Sequence, residues 1–365
     1  MFFRKAAPKA ILLLGLAAVL AGCFGGGGGA NPTVYIAGYR FDGTKAIPCL
    51  WTVTAPGIAR TDLPHNFSES KSGYAESVFV AGTTVYIGGY YYDTNNIPIP
   101  CYWKITDGSV HLSAFGPNNS RVKSIHVYGN TVYTAGSSND LPCCWRGDTE
   151  QTLLPRPAGA AYGEALAVFG TDENTSYAAG WYNDGSKDRP CYWIVDWRTT
   201  PPTTTRQDLL APGDYGGEAT SLVVLGNTVY TAGLYKTATG TGVPCYWVNQ
   251  NNPTSLNLLS GTRYGYAEAI AVAGGTVFTA GRCGPDSIPC YWRGTSPTAL
   301  PLPTGAVGGW AEGVAVSGGV VYTAGYYEDA SGKSFPCYWR GTARTELPLG
   351  GALSGNAAAI YSANR

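Results

Sequence analysis

AEGVAVSGGVVYTAGYYEDASGKSFPCYWRGTARTELPL, residues 311–349, carries four short apolar or alternating runs. They are AEGVAV (311–316), VVYTAGYY (320–327), FPCYWR (335–340) and RTELPL (344–349), parted by SGG (317–319) and the polar EDASGKS (328–334). Runs of this length, bounded by Gly, Ser and Asp, read as strands joined by turns. Apolar residues on both sides of a run suit strands that are sandwiched between neighbouring sheets. Pro336 is expected at the first residue of the third strand, where its missing N–H is tolerated.

The same grammar recurs along the chain. The Trp of the third run returns as Trp51, Trp103, Trp145, Trp193, Trp247, Trp292 and Trp339, a span of 288 residues in six steps with a mean period of 48. Upstream of each lies a hairpin strand: VYIAG (34–38), VYIGG (85–89), VYTAG (132–136), SYAAG (176–180), VYTAG (229–233), VFTAG (277–281) and VYTAG (321–325). Four strands per unit at a period of roughly 40–50 residues is the pattern of β-propeller blades, whereas a solenoid coil needs only about 20–30. The chain starts its first unit at Thr33 with a second strand and ends, at NAAAIYSANR (356–365), with a first strand. Joining the two completes a blade. The expectation is therefore an all-β, single seven-bladed β-propeller over 33–365, its four-stranded blades closed by the C-terminal strand completing the N-terminal blade.

The unit order also resembles the HAF family of bacterial extracellular repeats. AEGVAVSGGVVYTAGYY, PCYWRG and TELPLGG (345–351) follow that family's order, with Cys-Tyr where Ala-Phe is usual before its Leu-Trp. The resemblance covers nearly the whole chain after the leader, implies an extracellular repeat fold, and supplies no catalytic residues.

Residues 1–22 read as a signal peptide. MFFRKAAPK carries Arg4, Lys5 and Lys9 ahead of the short apolar run ILLLGLAAVLAG (11–22), too short to span a bilayer. Leu20-Ala21-Gly22-Cys23 resembles the lipobox of bacterial lipoproteins, which implies cleavage before Cys23 and lipid, palmitate included, on that residue. Residues 23–32 then form the lipidated Cys and a Gly-rich tether. The expected location is the bacterial cell envelope, with Phe24 favouring the outer membrane, and the membrane is engaged through the Cys23 anchor. Lys+Arg and Asp+Glu stand at 24 each, and losing the leader leaves 21 basic against 24 acidic residues. Without a basic cluster, nucleic acid is an unsuitable partner. A monomer is expected.

The candidates for chemistry divide into those that repeat and those that do not. Cys49, Cys101, Cys143, Cys191, Cys245, Cys290 and Cys337 occupy one slot per unit. Equivalent positions in blades about 10 Å apart cannot form disulfides, so these read as small buried apolar residues. Cys144 and Cys283 break the pattern, and Cys283 faces Cys290 across a short loop as a candidate hairpin disulfide. No metal-ligand spacing and no cofactor motif is present; His65, His111 and His126 neighbour no nucleophile motif.

Nine residues before the Val of VYxAG is a slot filled by Glu76, Lys123, Thr220, Glu268 and Glu312, by Glu164 if the fourth unit has a longer hairpin, and in the closing strand by Ala358. Glu218 sits two residues before Thr220, and the following slot is small: Ser77, Ser124, Ala165, Ser221, Ala269, Gly313, Ala359. This predicts charges around one mouth of the central channel, either bonding neighbouring blades or holding a ligand. Loops on that face bring aromatic rings, Tyr90, Trp181 and Tyr326 among them, beside Asp/Asn-rich turns. Together with the location, this points to a non-enzymatic binding or scaffold module for a surface glycan or protein partner. The alternatives are an envelope polysaccharide hydrolase or lyase using these carboxylates, and an outer-membrane assembly factor.

Overall fold

The computed structural model describes residues 32–55, 57–64 and 71–363. Cys23, the leader, His65 and all but the last residue of the tether lie outside them. The described chain forms seven four-stranded antiparallel sheets. These are the blades of a seven-bladed β-propeller, numbered here in chain order. Blade 1 joins Ser354–Ala363 to Thr33–Phe41, Ala46–Thr54 and Gly57–Asp62, so the C-terminal strand is its innermost member. The innermost strands of blades 2 to 7 are Gly73–Ala81, Ser120–Tyr128, Gly163–Asp172, Gly217–Leu225, Gly265–Ala273 and Ala306–Ser317. Each touches the next around the full circle, and Ser354–Ala363 closes it by meeting blades 7 and 2.

The Pro-Cys-aromatic-Trp string performs three separate jobs in the third strand. Pro336 is the third residue of Ser334–Arg340 rather than its first. Its carbonyl accepts the Leu347 amide at 2.9 Å, so its nitrogen also points to that side, just past the end of the outer strand, where no carbonyl needs a donor. The prolines of the other six blades accept the equivalent amide in the same way. Cys337 pairs with Gly325 and is fully buried, as are its six counterparts, all of them free thiols. Burial raises the thiol of Cys337, consistent with a packing role.

Trp339 supplies the link between blades. Its indole N–H donates to the Pro301 carbonyl, which follows the outer strand of blade 6, at 3.0 Å. Trp51, Trp103, Trp193, Trp247 and Trp292 make the same bond to Pro348, Pro64, Pro155, Leu210 and Asn257. Just before each acceptor, a buried Leu fills the space between blades. Blade 3 departs from this. There the acceptor's place belongs to Gly116, whose positive φ of 68° belongs to the left-handed region, and the buried Trp145 indole N–H has no partner.

Candidate functional site

A β-bulge in every innermost strand builds the mouth of the channel. In blade 7, Ala311 pairs with Gly325 and Gly313 with Ala324, leaving Glu312 unpaired between them. Equivalent shifts leave out Glu76, Lys123, Leu166, Thr220, Glu268 and Ala358. The extra residue slips the alternation by one: in blade 2, Ala75, Val78 and Val80 are buried between blades while Tyr74, Ser77 and Phe79 take the other face. Such a bulge re-aims side chains, here towards the axis. It also explains the glycine of VYxAG. A Cβ at Gly325 would overlap the Trp310 carbonyl oxygen, and the glycines of the other six blades meet the same obstacle.

Two tiers of side chains result. The bulge tier holds Glu76, Lys123, Leu166, Thr220, Glu268, Glu312 and Ala358. The upper tier, two residues earlier, is formed by cross-strand pairs: Tyr74 with Tyr90, Arg121 with Ser137, Glu164 with Trp181, Glu218 with Leu234, Tyr266 with Arg282, Trp310 with Tyr326, and Asn356 with Tyr39. Glu164 therefore does not occupy the bulge. Blade 4 has one residue more in its hairpin segment, absorbed by a second irregularity between Gly170 and Asp172. That puts Leu166 in the bulge and Ala167, rather than Ala165, in the small slot. Tyr133 of blade 3 enforces the irregularity: a Cβ on Gly170 would clash with its ring, and its hydroxyl donates to the Asp172 carbonyl at 2.8 Å.

The small slot beneath the bulge ties blades together. Ser77, Ser124 and Ser221 accept the amides of Ile125, Val168 and Ile270 from the next blade, and Thr220 donates to the Ala267 carbonyl at 2.7 Å. Deeper still, Tyr361, Phe79, His126 and Phe169 form an aromatic arc with ring centroids 4.2–5.3 Å apart. His126 accepts the Gly170 amide at 3.1 Å, and burial pulls it down to about 3. It is a packed neutral imidazole, and His111 is exposed on an outer strand.

The electrostatics of the mouth run in two arcs. Lys123 Nζ stands 3.5 Å from Glu76 Oε1. Burial pulls Lys123 down, but Glu76 and Glu164 outweigh it and hold the ammonium above its usual value. Glu164 is raised by burial against the opposing pull of Lys123, and it accepts the Ser137 hydroxyl at 3.2 Å. Across the axis burial is the leading influence on Glu218, Glu268 and Glu312. Burial raises Glu268 to about 7 in spite of Arg282, and burial together with Glu268 raises Glu312 to about 8. Asn356 donates to both Glu312 oxygens at 3.2 and 3.3 Å. Glu218 is raised too, by burial first. Around neutral pH Glu268 and Glu312 hold protons that ordinary carboxylates would have lost.

Aromatic rings frame both arcs. Tyr74 stacks on Tyr90 at 5.2 Å and meets Tyr39 edge-on at 4.9 Å. Arg282 lies between Trp310 at 3.6 Å and Tyr266 at 4.4 Å, while Trp310 stacks on Tyr326 at 6.1 Å. Trp181 and Tyr326 are half-buried at the mouth, but Tyr90 is only 8% exposed, and Tyr91, Tyr182 and Tyr327 pack between blades. The Asp-rich loops above are built for turning: Asp42, Asp93, Asp184 and Asp329 each accept amides of their own loop. Arg121, Ser137 and Asn356 belong to the site although their residue types gave no sign of it. Their column in the upper tier is the signal, and it shows only once the bulge fixes the register.

Among the described residues, no group of three His, Cys, Asp or Glu side chains is placed to hold a metal ion. Two grooves, one of about 250 Å³ beside Leu141 and Leu153 and one of about 370 Å³ beside Phe335 and Leu347, lie at blade edges and share no residue with the mouth. The blade 6 hairpin sets Cys283 opposite Ile288 and Cys290 opposite Gly281, so the two cysteines are diagonal neighbours and both are free thiols.

Solved structures share the architecture. A provisionally named 6-phosphogluconolactonase from Bacteroides fragilis is 9% identical with a TM-score of 0.52, covering 91% of this chain and 98% of that one. Another from Bacteroides uniformis is 11% identical with a TM-score of 0.53, covering 91% and 99%. At such identities the likeness is one of fold. No family model and no curated protein matches the chain.

Proposed function

We propose that the chain is a lipid-anchored envelope protein of the bacterial cell that acts as a non-enzymatic binding module, holding a surface glycan or protein partner at the channel mouth. The observation that supports this most is the upper tier, where half-buried rings from blades 1, 4 and 7 (Tyr39, Trp181, Trp310, Tyr326) share one concave rim with carboxylates and amides. Flat aromatic faces beside hydrogen-bonding groups suit the alternating apolar and hydroxyl faces of a sugar. Chain direction fits an anchor as well. Thr33 pairs with Ala363 at the end away from the mouth, and Phe41 pairs with Ser354 at the mouth itself. A tether joined at residue 32 would leave the mouth directed away from the membrane.

The test is retention of the purified propeller on immobilised neutral, amino-sugar and uronic-acid polysaccharides. Trp310→Ala and Trp181→Ala should each weaken retention at least about tenfold, a loss near the upper end for one aromatic contact, with the circular dichroism unchanged. No retention by the wild type on any polysaccharide, or by an envelope extract, would reject the reading. For the anchor, Cys23→Ser should abolish palmitate labelling and release the protein from membranes.

A second reading is favoured by one observation: Glu268 and Glu312 hold protons near neutral pH, as a general acid must. A polysaccharide hydrolase or lyase would release new ends from a retained glycan, and Glu312→Gln would stop that release without stopping retention.

A further inference from the structure

Cys283 differs from the slot cysteines in its surroundings. It closes the strand Thr276–Cys283, in a position where blades 2, 4 and 7 carry a buried tyrosine, and the shorter side chain lets its sulfur settle against Cys290. The two Sγ atoms are 3.5 Å apart. Cys290, the strongest influence, together with Leu259 and Thr262 brings the Cys283 thiol down to about 7 against the opposing effect of burial. Cys290, by contrast, is pushed up by burial. Cys283 is thus the sulfur of the pair that loses its proton first, and Cys290 is the protonated neighbour placed to donate its S–H to it, an arrangement suited to thiol–disulfide exchange.

We propose that Cys283 and Cys290 form a reversible dithiol–disulfide site, oxidised by a small-molecule disulfide of the glutathione type. The Cys283 thiolate attacks one sulfur of the oxidant, breaking its S–S bond and expelling one thiolate. Cys290 then attacks Cys283 Sγ, breaking the mixed disulfide, and its proton passes to the second departing thiolate. Two protein thiols are oxidised and one small disulfide is reduced to two thiols. The closed bond would clamp the hairpin that carries Arg282 into the Trp310–Tyr266 sandwich.

Trypsin isolates the pair by itself, because cleavage after Arg282 and Arg293 yields one peptide, Cys283–Arg293, with both cysteines. The folded protein is incubated with oxidised glutathione, blocked with iodoacetamide and mapped by mass spectrometry. A second arm refolds it from guanidinium in a glutathione buffer, so that a sealed interior cannot mask the chemistry. The expected peptide is lighter by two hydrogens, carries no alkyl group and recovers both labels after dithiothreitol. In Cys290→Ser, Cys283 should be trapped as its mixed disulfide with glutathione, while in Cys283→Ser the Cys290 thiol should be recovered alkylated. Two alkylated thiols in both arms, or pairing of either residue with another cysteine, would overturn the proposal.

Discussion

Replacing a single tryptophan by phenylalanine in two different blades separates the indole hydrogen bond from the indole ring. In Trp339→Phe, the smaller ring leaves a void and the Pro301 carbonyl loses its donor. That hydrogen bond is worth about 1 kcal/mol net, because the flanking Pro301 is exposed and its carbonyl can turn to water. In Trp145→Phe the void is the same, since both rings are essentially buried, but the N–H removed had no partner. Deleting a buried unpaired donor returns about 1–2 kcal/mol. Trp339→Phe should therefore cost about 2–3 kcal/mol more than Trp145→Phe. With an unfolding entropy of about 2.1 cal/mol/K per residue over about 330 residues, that difference is about 3–4 °C in melting midpoint. Paired melts followed by circular dichroism would measure it. Equal losses, or a larger one for Trp145→Phe, would show that the indole bonds contribute nothing and that packing alone joins the blades.

Stability should fall as pH rises. Glu268 and Glu312 hold protons in the folded state up to about 7 and about 8, while the unfolded chain releases them near 4.5. Their contribution is full below pH 4.5 and is lost through pH 8. Each unit of pH in that window costs up to about 1.4 kcal/mol per group, and halving this for water in the channel leaves roughly 4 kcal/mol in all. Urea midpoints at pH 5 and 8.5 test it, and Glu268→Gln with Glu312→Gln should flatten the dependence. Thr323→Val should stabilise by about 1 kcal/mol. The Thr323 hydroxyl is buried without a partner, and Ile36 and Ile87 fill the same position in blades 1 and 2; an unchanged or lower midpoint in guanidinium would count against this. Removing residues 354–365 should abolish the cooperative melt, because Thr33–Phe41 would lose its inner partner; an unaltered transition would contradict closure by that strand.

The blades were legible because each unit repeats both a period-2 pattern and its turn glycines, so a misread strand in one unit is corrected by six others. Closure was legible from a second strand at one end and a first strand at the other. The bulge was not. Its only trace is the slip from Ala75 to Val78 in burial, and in a strand apolar on both faces that slip is invisible. Counting back from VYxAG found Glu76, Glu268 and Glu312 because their hairpins are of equal length, and misplaced Glu164 because a ring from the neighbouring blade, Tyr133, dictates how the extra residue is absorbed. Tyr90 shows the same limit: its sequence neighbours mark a loop-side aromatic, but Tyr74, its cross-strand partner in the same hairpin, covers it.

The joining of Ser354–Ala363 to Thr33–Phe41 also imposes an order in time. A ribosome makes the inner partner of the first blade only after the other six blades, so the earliest sheet waits with an edge of unpaired backbone N–H and C=O groups until Ser354–Ala363 has been delivered. An interrupted chain cannot hide that edge. A product halted anywhere before Ser354 leaves Thr33–Phe41 with that edge exposed, the kind of strand edge that pairs with other chains.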